Sequence, residues 1–239
     1  MTKKILGVKI DDLTLTDSLT KVLSWLPEKK KSRTIVTPGP EFLVTAQKDE
    51  QFKKMLNNAD LSLPDGFGLH LGGIKNRVAG IDFMLKLCEL SAQNNWKVGL
   101  LGGQKGVAQI TASKLIKTYP NINIAFKIDG QRADEVLANL KVPKVDLLFV
   151  AFGHPRQEKL LWALKESFFG KERFFKVGMG VGGAFDYISG QVPAAPEIFR
   201  FLGLEWAWRL LTQKNRGPRI FNAVVIFPFL LLKERLRID

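Results

Sequence analysis

The run Val145-Asp146-Leu147-Leu148-Phe149-Val150-Ala151-Phe152 constrains the fold most, because apart from Asp146 it offers apolar side chains to both faces of a strand. A strand that is apolar on both faces has to be covered on both, which is the setting of a parallel sheet with helices on either side. Shorter strand-like segments accompany it at Ile5–Ile10, Thr34–Thr37, Leu61–Leu63, Trp96–Leu101, Ile122–Ile128 and Phe174–Val181. Helical patterns fall between them: Leu15–Leu26, a start at Glu41–Gln47, Ile81–Gln93, a start at Val107, Ala133–Leu140 and Leu160–Ser167. Small or polar residues occupy five strand exits, near Thr37, Asp65, Gly102, Gly153 and Gly182. The pattern predicts an α/β fold with a doubly wound, mostly parallel sheet and one ligand crevice beyond its carboxyl edge.

With 239 residues, 46% of them apolar and 25% charged, the chain has the makeup of a folded domain rather than a disordered segment. Its formal charge of +13 points to an anionic partner: a phosphorylated small molecule, a nucleic acid or an anionic membrane surface. Cys88, the only cysteine, excludes a disulfide framework and reads as a core residue of a helix. His70 and His154 are the only histidines, and neither has a partner at metal-ligand spacing. The first apolar run is broken at once by Lys9, Asp11 and Asp12, unlike a signal peptide, and no uncharged apolar run approaches the ~20 residues of a spanning helix. A cytoplasmic protein touching a membrane from one side is expected.

Two glycine-rich corners invite chemistry. Leu63-Pro64-Asp65-Gly66 puts a carboxylate on a tight corner at a strand exit, either as a plain turn residue or as a reactive group. Gly102-Gly103-Gln104-Lys105-Gly106 joins a strand to a helix start, where backbone N–H groups suit a phosphate. It lacks the first Gly-x-Gly of the dinucleotide fingerprint and is equally explained as a tight helix–strand junction.

After Pro193 and Pro196 the character changes, so a catalytic domain over 1–195 and a helical, basic and apolar appendage over 196–239 are expected. Phe199, Leu202, Trp206 and Leu210 share one helical stripe, and Leu204, Trp208 and Leu211 another. The apolar stretch Phe221–Leu232 is interrupted by Pro228 and flanked by Lys214, Arg216 and Arg219 before and Lys233, Arg235 and Arg237 after. That suits a segment lying in a membrane interface; a helix docked on the core or on another subunit is the rival reading.

Several segments together resemble the WecG/TagA/CpsF glycosyltransferases, glycosyltransferase family 26. They are Ala59–Gly73, Arg77-Val78-Ala79-Gly80-Ile81-Asp82, Phe152-Gly153-His154-Pro155-Arg156-Gln157-Glu158-Lys159, and Gly180–Gly190 with Ala195-Pro196 and Leu202–Trp206. The resemblance implies a Rossmann-like domain of the GT-E type. It implies inverting transfer of a sugar, N-acetylmannosamine or a related hexose, from a UDP-sugar to an undecaprenyl-diphosphate-linked GlcNAc-type acceptor, in teichoic acid or exopolysaccharide synthesis. It also implies a peripheral place on the inner membrane face, no bound metal or cofactor and no nucleic-acid partner. By the same resemblance Asp65 is the catalytic base, Thr37 and Gln157 line the sugar-nucleotide pocket and Asp186 holds the nucleoside; with no metal, Arg77 and the glycine turn at Gly102 and Gly103 are the candidates, beside the tail arginines, to bind the departing diphosphate. Arg209, Arg216 and Arg219 meet the membrane or the lipid diphosphate. The family carries Thr-x-Asn after its second strand where this chain has Thr37-Pro38-Gly39, which puts sugar specificity in question. Oligomeric state is left open. An inactive nucleotide-sugar-binding protein on the membrane and an NAD-dependent nucleotide-sugar oxidoreductase or epimerase are the alternatives.

Overall fold

A computed structural model describes residues 1–28, 31–130, 142–167, 173–193, 195–196, 199, 205–212 and 216–236, without the side chains of 205, 206 and 209. Six strands form one sheet: β3 (Arg33–Val36), β4 (Leu61–Ser62), β5 (Lys97–Gly102), β6 (Asn123–Ile128), β7 (Val145–Ala151) and β8 (Phe175–Gly180). Their order is β4-β3-β8-β7-β5-β6 and every pairing is parallel. The expected doubly wound α/β architecture is therefore present. In β7, Leu147, Phe149 and Ala151 join one core cluster while Leu148 and Val150 join another, so both of its faces are covered. Burying a Leu, Val or Phe side chain stabilises the fold by about 1.5–3 kcal/mol, so this strand contributes to both core layers.

Ile5–Ile10 is not one strand. Leu6 and Gly7 have φ of 49° and 75°, and they turn β1 (Thr2–Ile5) back on β2 (Val8–Asp11) as a two-stranded antiparallel hairpin. The hairpin buries Ile5, Val8 and Ile10 against α2 (Pro40–Ala46) and α3 (Glu50–Asn58). Its last acids reach the main domain: Asp11 accepts the Ser62 N–H at 2.9 Å, and Asp12 accepts the N–H groups of Asn76 at 2.8 Å and Lys75 at 3.1 Å. Burial pushes the Asp12 pKa up, but the Asn76 and Lys75 N–H groups and Lys3 outweigh it and hold it at about 2. The segment leading to Arg77 is thus tied down.

Helix α1 (Leu15–Trp25) starts at the expected residue, where Thr14 caps it by accepting from the Asp17 N–H. Helix α3 is not among the expected helices, because its residues are mostly polar, although Phe52, Met55 and Leu56 recur at helical spacing, are buried, and follow an Asp49 cap. Helices α4 (Gly80–Asn94), α5 (Val107–Thr118), α6 (Arg156–Ser167) and α7 (Ala184–Ser189) follow their strands; Cys88 is fully buried in α4, and burial pushes its thiol up to about 12. The helix expected at 133–140 lies outside the described residues.

In the C-terminal part, α8 (Glu205–Thr212) exposes Leu210 and Leu211. Helix α9 (Gly217–Phe221) runs through a π-turn, Asn222–Ile226, into α10 (Phe227–Leu236). The π-turn precedes Pro228, which has no N–H to give the preceding turn. Phe227 is fully buried and Leu231 nearly so, in the same cluster as the hairpin and α2. Phe221, Val224, Val225, Phe229, Leu232 and Leu236 stay exposed. The segment is docked on the domain through Phe227 and Leu231 and keeps an apolar side exposed.

Candidate active site

The site is built along the carboxyl edge of the sheet. At the exit of β3 lies Thr37, 8% exposed, and at the exit of β4 lies Asp65, whose N–H donates to the Pro38 carbonyl at 3.1 Å. The Gly80 N–H, at the start of the 15-residue helix α4, donates to Asp65 Oδ2 at 3.3 Å. A Cβ on Gly80 would sit 3.4 Å from Asp65 Oδ2 and 3.4 Å from Thr37 Oγ1, so hydroxyl, carboxylate and helix start form one closely packed group. Asp65 is therefore an oriented side chain. The family resemblance gave Gly80 no role; its signal in the sequence was its place at the head of a helix after Arg77-Val78-Ala79.

The departure at position 39 has a structural counterpart. A Cβ on Gly39 would fall 2.7 Å from the Asp65 carbonyl oxygen, and backbone cannot give way as a side-chain tip can. The β3 and β4 exits approach each other closely here. An asparagine at 39 would require them to separate.

Arg77 lies with its guanidinium over the Phe67 ring, 5.0 Å from the centroid, just beyond the loop held by Asp12. Two strands further along, the β8 exit carries Gly182 and Gly183, and next to it the β7 exit carries Gly153 and His154. The tail arginines come to these turns. A Cβ on Gly183 would be 3.1 Å from the Arg216 guanidinium and 3.7 Å from Asp186 Oδ2, and one on Gly153 would be 3.5 Å from Arg219. Burial pushes the Asp186 carboxyl up, and Arg216 works against that shift. Burial, helped by Arg219 and Arg216, lowers His154 to about 4, so its ring is neutral at pH 7 and its 3.6 Å approach to Glu41 is no ion pair there. The ring also packs 4.3 Å from Phe42.

Gln157 is not a cleft-lining side chain in this arrangement. It is 1% exposed, its Nε2 donates to Glu158 Oε1 at 2.7 Å and its Oε1 accepts the Gly182 N–H at 2.9 Å. The Gly102–Gly106 turn is also committed. The Gly103 N–H donates to the Ala151 carbonyl, and the Asp129 carboxylate accepts the N–H groups of Gly106 at 2.6 Å and Ala108 at 2.9 Å. A side chain of the protein thus holds the place at the head of α5 that a phosphate would take, and Gly102 packs against Ala151. Asp129 was readable only as the exit of β6. The Arg209 side chain lies outside the described residues. Among the described residues, no three His, Cys, Asp or Glu side chains gather as metal ligands, and no helix is long and apolar enough to cross a membrane.

A carboxylate oriented beside a hydroxyl, in one row with two arginines at glycine turns, is equipped to deprotonate one group and hold an anion nearby. Comparison with known proteins gives this site its family. Residues 3–239 match the model described as the glycosyl transferase WecG/TagA/CpsF family. A Bacillus spizizenii protein named N-acetylglucosaminyldiphosphoundecaprenol N-acetyl-beta-D-mannosaminyltransferase is 31% identical over 98% of this chain and 92% of its own. Proteins of the same name from Bacillus subtilis, 31% identical over 92% of this chain and 88% of their own, and from Staphylococcus aureus strain MRSA252, 29% identical over 98% and 93%, are similar to it as well. The chain belongs to the WecG/TagA/CpsF family of glycosyltransferases.

Proposed function

We propose that the protein transfers a sugar, N-acetylmannosamine or a related hexose, with inversion from a UDP-sugar to a GlcNAc-diphosphoundecaprenol acceptor. The named activity of the relatives supports the acceptor and the sugar. The observation that carries the chemistry is the Asp65–Thr37–Gly80 group placed at the β4 and β3 exits, with Arg216 and Arg219 at the β8 and β7 exits. Neighbouring strands are ~4.8 Å apart, so base and cations are separated by roughly 10–15 Å along one edge.

In the reaction, the acceptor hydroxyl oxygen attacks the anomeric carbon while the bond from that carbon to the diphosphate oxygen breaks. The departing UDP keeps the electron pair, and Asp65 takes the hydroxyl proton. Charge growing on the diphosphate meets Arg216 and Arg219 rather than a metal ion, and Arg77 beside Phe67 adds a further cation. Asp186, half-buried beside Arg216, holds the nucleoside in this reading. The exposed apolar residues of 221–236 lie in the membrane interface, with Phe227 and Leu231 holding the segment to the domain. The protein works peripherally on the cytoplasmic face, where the lipid-linked acceptor is presented.

The test is incubation with a panel of UDP-sugars and a lipid-diphosphate GlcNAc acceptor, with and without EDTA. Transfer from one donor, undiminished by EDTA, is expected. A folded protein that transfers from none and binds no UDP defeats the proposal. For the membrane contact, Phe229→Ser and Val225→Ser should lower liposome co-sedimentation with an unchanged melting temperature; undiminished binding removes the interfacial role.

A further inference from the structure

Glu158 follows Gln157 directly, and none of the roles above uses it. It is 3% exposed; its Oε1 accepts from Gln157 Nε2, and its Oε2 has no hydrogen-bond partner. Burial drives its pKa up to about 7, with the Gln157 bond pulling the other way. A buried carboxyl with one unsatisfied oxygen is an expensive way to fill space, and an apolar side chain of the same volume would pack at lower cost.

What the carboxyl supplies is direction. An amide has a donor end and an acceptor end, and an acceptor at Glu158 Oε1 decides that Gln157 turns its Nε2 there and its Oε1 toward the Gly182 N–H. Gly182 has φ of 52° and opens the turn whose second residue, Gly183, lies between Arg216 and Asp186. The pair fits across the end of β8 because residue 180 is glycine: a Cβ there would be 2.7 Å from Gln157 Nε2 and 2.9 Å from Glu158 Oε1. Glu158, Gln157, Gly182 and Gly183 thus make a relay from a buried carboxyl to the charged pair at the cleft.

We propose that Glu158 is a positioning residue that fixes the orientation of the Gln157 amide and thereby holds the Gly182–Gly183 turn where it meets Arg216 and Asp186. Its kinetic consequence rests on the glycosyltransferase reading; its geometric one does not.

Two measurements on the full chain test it: hydrogen exchange of the Gly182 amide, and the donor KM and kcat. Glu158→Leu removes the acceptor at similar volume, whereas Glu158→Gln keeps an oxygen for Gln157 Nε2. Glu158→Leu should speed Gly182 exchange and raise the donor KM, each about 10-fold, the equivalent of one hydrogen bond, with kcat within about 3-fold. Glu158→Gln should return both to within about 3-fold of the parent. Gly180→Ala, which pushes on the pair from the other side, should reproduce the Glu158→Leu pattern and serves if that variant does not fold. Parent-like exchange and KM in either disruptive variant that folds, or Glu158→Gln as impaired as Glu158→Leu, overturns the inference. If the parent itself neither binds UDP nor transfers sugar, the functional reading fails while the exchange comparison still decides this one.

Discussion

The two ends of β4 carry carboxylates five residues apart, and the fold treats them differently. At the entry, Asp60 receives Lys165 at 2.9 Å, Arg33 at 3.0 Å and the Thr34 N–H at 2.9 Å. Burial pushes its pKa up, but Lys165, Thr34 and Arg33 more than cancel that and leave it lowered. At the exit edge the balance is reversed: burial raises Asp186 despite Arg216 and raises Glu158 despite Gln157. Asp65 there is oriented by Gly80 at a helix start. Charge at the entry end is used up by the protein in binding its own elements together. At the exit end Glu158 is buried, while the part-exposed Asp65 and Asp186 stay within reach of a ligand.

The difference is open to attack from both ends. The largest expected effect is at the exit: Asp65→Asn should lose at least ~100-fold in turnover while keeping UDP affinity and melting temperature, because it removes a base and keeps the shape. Near-normal turnover would take Asp65 out of the chemistry. Next is a pH effect on stability. Glu158 has a folded pKa of about 7 against an ordinary 4.5, so the folded state holds its proton more tightly. The stabilisation is full below pH 4.5 and declines as pH rises through 7, by about 3 kcal/mol at most. Urea denaturation across that range should show the decline, and Glu158→Gln should flatten it; a decline that survives in the variant belongs to another group.

His154 has the opposite sign. Its folded pKa, lowered to about 4 from 6.5, gives stability that is present above pH 6.5 and is lost as pH falls toward 4. His154→Gln should remove that part of the acid loss and leave the Glu158 limb untouched. The smallest effect is at the entry end. Asp60→Asn should cost about 1–2 kcal/mol by urea denaturation, since the groups involved are part-exposed, with activity per folded molecule unchanged. Loss of activity with full stability would show that the two ends are coupled.

Much of the fold was legible because its signals are local. The apolar run at 145–152 demanded cover on both faces, and the strand exits at Thr37, Asp65, Gly153 and Gly182 did gather on one edge. A hairpin stands where one strand is expected because two residues of positive φ, Leu6 and Gly7, turn the chain inside an apolar pattern that would otherwise continue. Helix α3 was overlooked because its polar face outnumbers its buried one. The tail was read as either interfacial or docked because composition does not say that Phe227 and Leu231 point inward while Phe229 and Leu232 point out.

The sequence by itself determined the sheet class, the glycine corners and the carboxylate at position 65, since strand burial and turn formation are written in neighbouring residues. Tertiary structure alone decided which partners those groups meet. Asp129 fills the head of α5, Gly39 lies against the Asp65 carbonyl, and Arg216 and Arg219 close on turns far from them in the chain. The physical reason is range. Backbone preference acts over a few residues, whereas the charge and hydrogen bonds of this site join groups well beyond that range in the chain, and they acquire their partners only when the sheet brings its strand exits side by side.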